Sequence, residues 1–281
     1  MNAVHLIVHR NKPEIKTLTR QIVASFQCAG IAVSCEDWLL AQMGEEGNTL
    51  FRQGEAHYDA VISVGGDGTL LQANRLAIQK DVPLLGINQG RIGFLAEVEL
   101  EQLSQACEKL KNDDYRIERR MLLETACEGH DTLLALNDIV VSRGGYSRLI
   151  AVNAWVGREF VGRYIADGLI VSTPTGSTAY SLSAGGPIVF PGVDCIVLSP
   201  ICAHSLQHRP VVISSQQTVT LELDCEPEQR AQLSADGQET LFVSPQQKLR
   251  INRSSKQAQF IRFHSRDFFT VIRQKLSEWS C

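Results

Sequence analysis

From Val4 to about Leu110, short apolar runs alternate with stretches in which apolar residues recur every three or four positions. That rhythm is the mark of strands feeding helices, and hence of a mostly parallel sheet with helices on its faces. The runs Val4 to Val8, Ile31 to Cys35, Ala60 to Val64 and Leu84 to Ile87 predict strands. Leu18, Ile22, Val23 and Phe26 predict a helix that Pro13 can open. Leu70, Ala73, Leu76 and Ala77 predict a second helix, and Leu100, Leu103, Ala106 and Leu110 a third.

After Lys111-Asn112-Asp113-Asp114 the texture changes to short Val-, Ile- and Leu-rich runs separated by Gly, Asn, Asp and Pro. Met121 to Ala126, Ile139 to Ser142, Leu149 to Val156, Leu169 to Ser172, Val219 to Leu223 and Leu249 to Ile251 read as strands of a second, β-rich domain. Helical spacing returns through Phe268, Val271, Ile272 and Leu276. The pattern therefore predicts domains over 1–114 and 115–265, with a C-terminal helix in 266–281 packing back on the first domain.

The chain has 281 residues, 44% hydrophobic and 21% charged, the composition of a globular protein with ample material for a core. A net charge of -4 and the lack of any Lys/Arg run argue against nucleic acid or an anionic membrane as partner. The first residues place their basic side chains after the apolar stretch, unlike a signal peptide, and no apolar run approaches the roughly 18 residues of a spanning helix. Eight cysteines without CxxC spacing read as free thiols of a reducing compartment, so the expectation is a soluble, cytoplasmic protein.

Candidate chemistry begins at Gly65-Gly66-Asp67-Gly68-Thr69, a turn running from a strand into helical spacing. Glycines let backbone N–H groups approach phosphate oxygens, and a following helix offers its positive end to anions. A carboxylate is repulsive beside phosphates unless a cation or proton intervenes. Asp67 is thus either a base for an attacking hydroxyl, a help in placing Mg²⁺, or a plain helix cap within an ordinary turn. The sequence fits neither a Walker A loop nor GxGxxG.

A second constellation runs from Ala166-Asp167-Gly168 through Thr173-Pro174-Thr175-Gly176-Ser177-Thr178-Ala179-Tyr180-Ser181-Leu182-Ser183-Ala184-Gly185-Gly186. Thr175, Ser177 and Thr178 either cap a helix or, with the amides around Gly176, meet a phosphate. Asp167 and Tyr180 have alternatives as a surface charge and a core aromatic. Asn137-Asp138 is either a turn or a strand-borne pair whose side chains point to opposite faces. His204 and His208 have helical i, i+4 spacing but neither a zinc-protease Glu nor a third ligand nearby, so no zinc is expected.

Together these segments resemble the NAD kinase family, whose members carry a GGDGT turn, an Asn-Glu or Asn-Asp pair and a TPTGSTAYSLSAGG block in this order. The resemblance covers roughly Tyr58 to Gln238, with further matches at Gly86-Ile87-Asn88, Gly93-Phe94-Leu95, Pro200-Ile201-Cys202, His208-Arg209-Pro210 and Asp236-Gly237-Gln238. It implies an α/β N-terminal domain with a mostly parallel sheet plus a β-sandwich-like, dinucleotide-binding C-terminal domain. It also implies transfer of a phosphoryl group to the adenosine 2′-hydroxyl of NAD.

By resemblance Asp67 is the general base, with Gly65, Gly66, Gly68 and Thr69 near the donor phosphates and Asp67 and Gly68 also against the dinucleotide. Asn137 and Asp138 hold a ribose, and Phe94 borders the adenine. Arg148, Asp167 and Thr178-Ala179-Tyr180-Ser181-Leu182-Ser183 contact the rest of the dinucleotide, with Tyr180 stacking and Gln238 completing the pocket. Ile165 occupies a position that is often charged, polar or glycine in the family and is linked there to donor choice. The implied donor is ATP with Mg²⁺ or another divalent cation held mainly through its phosphates, with inorganic polyphosphate as a second donor. The implied assembly is a homodimer or homotetramer. The rival readings are a lipid kinase of the diacylglycerol kinase type, which shares the GGDGT-like turn, and a non-catalytic NADP-binding sensor.

Overall fold

The computed structural model describes residues 1–10, 14–52, 57–88, 93–126, 132–145, 149–205, 207–224, 231–245, 247–263 and 268–278. The chain divides into two compact units, Met1–Arg119 with Ala258–Cys281, and Arg120–Gln257. The pattern of the sequence places the divisions at 114/115 and 265/266. The difference has a local cause: strands Arg116–Ala126 and Lys248–Arg262 run through the divisions, so no change of texture marks them.

In the first unit, Ala3–Val8 pairs in parallel with both Ala32–Cys35 and Ala60–Gly65. Ala60–Gly65 also pairs in parallel with Leu84–Asn88, whose Leu84 faces Phe260. The strands Ala60–Gly65 and Leu84–Asn88 are buried along their whole length, which is why they read as unbroken apolar runs rather than alternation. Helix Ile15–Cys28 buries Ile15, Leu18, Thr19, Ile22, Val23 and Phe26 along one stripe. Phe26, Ile22, Ile62, Leu85 and Ile261 belong to one core with Ala106 and Leu110 of helix Leu103–Lys111. Each such large side chain contributes about 1.5–3 kcal/mol.

Helix Asp67–Lys80 carries the chain from Ala60–Gly65 to Leu84–Asn88, and Phe268–Glu278 is helical near the C-terminus. Asp37–Met43 and Glu45–Leu50 are helices that the sequence pattern does not predict. They are too short to repeat an apolar spacing, and Gly44 at φ 65° breaks them apart.

The second unit is built from antiparallel sheets. One runs in the order Val211–Ser214, Cys195–Ile201, Gly168–Ser172, Asp138–Arg143, Ala231–Ala235, Glu239–Val243. The other includes Glu159–Ala166, Ile150–Val156, Val219–Leu223 and the start of Lys248–Arg262. Ile139, Val141, Leu169, Val171, Ile196, Leu198 and Leu233 of the first share one core with Val152, Ala154, Val219, Leu221, Leu249 and Ile251 of the second. The period-two alternation of a sandwich puts them there. No helix among the described residues is long and apolar enough to cross a membrane. Cys28, Cys35, Cys107, Cys195 and Cys202 are free thiols, and burial pushes those of Cys35 and Cys107 up to about 12.

Candidate functional site

Strand Ala60–Gly65 ends in the glycine turn, and Gly66 is the N-cap of helix Asp67–Lys80. Gly65 is required sterically, because a Cβ there would lie 2.6 Å from Thr69 Oγ1. Asp67 occupies the first helical position, one residue after the N-cap Gly66. Its carboxylate instead accepts the amide N–H of Phe94 at 3.1 Å and that of Leu95 at 3.4 Å. A Cβ on Gly93 would strike this carboxylate, so a glycine in the neighbouring loop makes room for it. The carboxylate at the helix start is thus tied to the neighbouring loop. A carboxylate has about four acceptor positions, and these amides fix its orientation while using two of them. The hydroxyl of Thr69 is buried without a hydrogen-bond partner.

In the second unit, Asn137 and Asp138 open strand Asp138–Arg143, and one carboxylate organises the approach to it. Asp236 accepts the amides of Leu136 at 2.9 Å, Asn137 at 2.7 Å and Asp138 at 3.2 Å. Asp236 has left-handed backbone at φ 53°, followed by Gly237 at φ 65°, a tight turn that returns the chain toward Gln238. Asp138 is buried, and its carboxyl is pushed up to about 7, first by burial and then by the Asp236 charge. Asn137, Asp138, Asp236 and Gly237 line a cavity of about 280 Å³ together with Val140, Ser142, Ala179, Tyr180 and Ser234.

The Thr173 to Gly186 segment is pinned against that pair by backbone. The Asn137 carbonyl accepts the Thr173 amide at 2.9 Å and the Ser172 hydroxyl at 3.2 Å. A Cβ at Gly176 would collide with the same carbonyl. Only a 3-10 turn, Gly176–Thr178, and the four-residue helix Tyr180–Ser183 follow the strand, and Thr175 before the turn makes no side-chain capping bond. Ser177 and Thr178 donate back to the carbonyls of Pro174 at 2.7 Å and Thr175 at 3.2 Å. Ser177 also accepts the Val189 amide at 3.0 Å. Ser181 and Ser199 hydroxyls meet at 2.9 Å. Tyr180 is 47% exposed, so it is no core aromatic.

Asp167 pairs with Arg143 at 3.2 Å, Ile165 is exposed, and Gln238 is exposed at the turn after Asp236. Leu182 is half-buried and Ser183 exposed. Arg148 lies outside the described residues. His208 stacks on Tyr164 with ring centroids 4.6 Å apart.

The model of the ATP-NAD kinase N-terminal domain matches residues 4–115, and that of the C-terminal domain residues 136–263. An NAD kinase of Moorella thermoacetica is 36% identical over 281 residues, covering 99% of this chain and 90% of the relative. The chain belongs to the NAD kinase family. Among solved structures, an NAD kinase from Archaeoglobus fulgidus in complex with ATP is similar at TM-score 0.75 and 26% identity, with 99% of each chain covered. A yeast NADH kinase complexed with NADH shares the fold at TM-score 0.86 and 22% identity, with 99% and 88% covered.

For this NAD kinase family member, two residues with a clear structural part carried no chemical reading of their own in the sequence. Asp236 stands within the Asp-Gly-Gln match and Gly93 within Gly-Phe-Leu. Their signals were present but ambiguous, since an Asp-Gly pair is also the commonest of turns.

Proposed function

We propose that the chain is an NAD kinase that transfers the γ-phosphoryl group of ATP to the adenosine 2′-hydroxyl of NAD, giving NADP and ADP. The observation that carries this reading is the Asp67 carboxylate, oriented by the Phe94 and Leu95 amides at the start of a helix that follows a glycine turn. Carboxylates at such turns serve phosphoryl transfer in two ways, as bases and as metal ligands. Asp67 takes the proton of the 2′-hydroxyl as its oxygen bonds to phosphorus, and the bond to the ADP oxygen breaks. Gly65, Gly66, Gly68 and Thr69 receive the donor phosphates, with the helix terminus favouring their charge.

A divalent cation suits this residue set in one way. Magnesium is commonly held by one or two carboxylates together with substrate phosphates, and Asp67 is the carboxylate at the turn. Among the described residues no cluster of three His, Cys, Asp or Glu offers a cage. Bound there, the ion would neutralise charge on the phosphates.

The dinucleotide is held in the second unit. Asn137 and Asp138 bind a ribose, with Tyr180, Ala179 and the segment to Ser183 beside it, and Asp167, Ile165 and Gln238 complete the second unit's part in holding it. A homodimeric or homotetrameric assembly and a cytoplasmic location belong to the same reading, supported by family membership. The test is NADP formation by purified protein from NAD, ATP and Mg²⁺, followed through an NADP-specific dehydrogenase. Binding of NADP without turnover from any donor would replace this reading with a sensor.

A further inference from the structure

A groove in the first unit is not among the contacts assigned above. It has a volume of about 840 Å³, within the range of small-molecule sites. It runs along the sheet beside strands Ala3–Val8 and Ala32–Cys35, bordered by Leu76 and Lys80 of helix Asp67–Lys80. Its walls combine rings, Trp38, Tyr58, His57 and His5, with the cations Arg10, Arg52 and Lys80. The acids Glu36 and Asp37 also line it.

The rings are arranged rather than scattered. Trp38 donates its indole N–H to Glu36 at 2.8 Å, and the Arg10 guanidinium lies 5.2 Å over the Trp38 ring. His5 and Tyr58 lie 4.9 Å apart at 30°, with His5 Nδ1 3.0 Å from the Ser34 hydroxyl. Burial lowers the pKa of His5, partly offset by Glu36, which favours an uncharged ring suited to stacking. Flat rings next to cations recognise a base with phosphates attached.

Position decides which nucleotide. Arg10 follows strand Ala3–Val8, Glu36 to Trp38 follow Ala32–Cys35, and the glycine turn ends Ala60–Gly65. These strands are parallel neighbours, so all three segments lie at one carboxyl edge, where open α/β sheets bind ligands. His9 links them, donating its amide to the Val64 carbonyl at 3.2 Å. Two strand spacings, about 10 Å, separate the ends of the outer strands, a gap that a triphosphate chain bridges.

We propose that this groove is the seat of the donor's nucleoside, its purine against Trp38 under Arg10 and its triphosphate running to the Gly65–Thr69 turn. This rests on the NAD kinase reading and assigns the donor as a nucleoside triphosphate, because a bare polyphosphate would leave the rings unused.

Two measurements test it on the full chain. Steady-state NADP formation is compared with ATP or inorganic tripolyphosphate as donor for wild type, Trp38→Ala and Arg10→Ala. The Trp38 variant should raise the KM for ATP about tenfold, the order of one lost base stack, with the KM for NAD unchanged as a check that the fold survives. Rates with tripolyphosphate should be low and insensitive to both variants. Photolabelling of wild type with 8-azido-ATP, which needs no variant to fold, should map to peptides containing Arg10 or Trp38. An unchanged KM for ATP in both variants, or label confined elsewhere, overturns the assignment of the groove. Absence of NADP from wild type with every donor overturns the kinase reading instead.

Discussion

Replacing Asp138 by asparagine should stabilise the second unit at alkaline pH and do little at acid pH. The Asp138 carboxyl titrates at about 7 in the fold against 3.8 ordinarily, because burial and then the Asp236 charge oppose its ionisation. Between these values the folded state keeps a proton that the unfolded chain has released, so stability falls as pH rises through this window and levels off above about 8. The full loss amounts to at most about 4 kcal/mol. From pH 5 to pH 8 the share is up to about 3 kcal/mol, or a midpoint change on the order of 5–10 °C. The asparagine amide keeps the shape of the carboxyl and cannot ionise. Scanning calorimetry of ligand-free wild type and Asp138→Asn at pH 5, 6, 7 and 8 should show their midpoints drawing apart as pH rises. A gap that stays constant within about 1 °C would refute the reasoning, since it would mean that Asp138 does not titrate in this range. An ionisable group kept at such a cost is expected where function needs it.

Asp67→Asn should lower turnover by on the order of 10²-fold to 10⁴-fold, the range for a lost general base, while calorimetric NAD affinity stays near wild type. Near-normal turnover would remove Asp67 from that role. Gly93→Ala should push the Asp67 carboxylate off its two amides. That lowers kcat by on the order of 10²-fold, as a misplacement of about 1 Å can, with the melting midpoint nearly unchanged. An unaltered kcat would mean that the carboxylate needs no such positioning. Asp236→Ala leaves three amides without their acceptor and puts alanine at φ 53°, costing about 2–4 kcal/mol in total. Asp236→Gly relieves the backbone and should recover about 1 kcal/mol of it, so equal midpoints for the two variants would argue against strain at this turn.

Much of the first unit was legible because its signals are local. The buried strand Ala60–Gly65 shows as an apolar run, and the stripe of Leu18, Ile22, Val23 and Phe26 shows as a helical period. Each depends only on neighbours in the chain. Strands Glu159–Ala166 and Glu239–Val243 carry a weaker signal, because large apolar residues, Phe160 and Phe242, point outward on them and blur the alternation.

The site divides in the same way. Asp67 stood out because a carboxylate conflicts with a phosphate-binding turn, a contradiction visible within five residues. What orients the carboxylate lies 26 to 28 residues further on, at Gly93, Phe94 and Leu95, and nothing near Asp67 announces it. Asp236 is the sharper case, because its partners at 136–138 lie 98 to 100 residues away. A side chain that binds backbone amides leaves no complementary side chain to be recognised, since any residue but proline supplies the N–H. Residues that meet substrate can therefore be suspected from their chemistry, whereas residues that hold them in place through backbone amides become evident only from the fold.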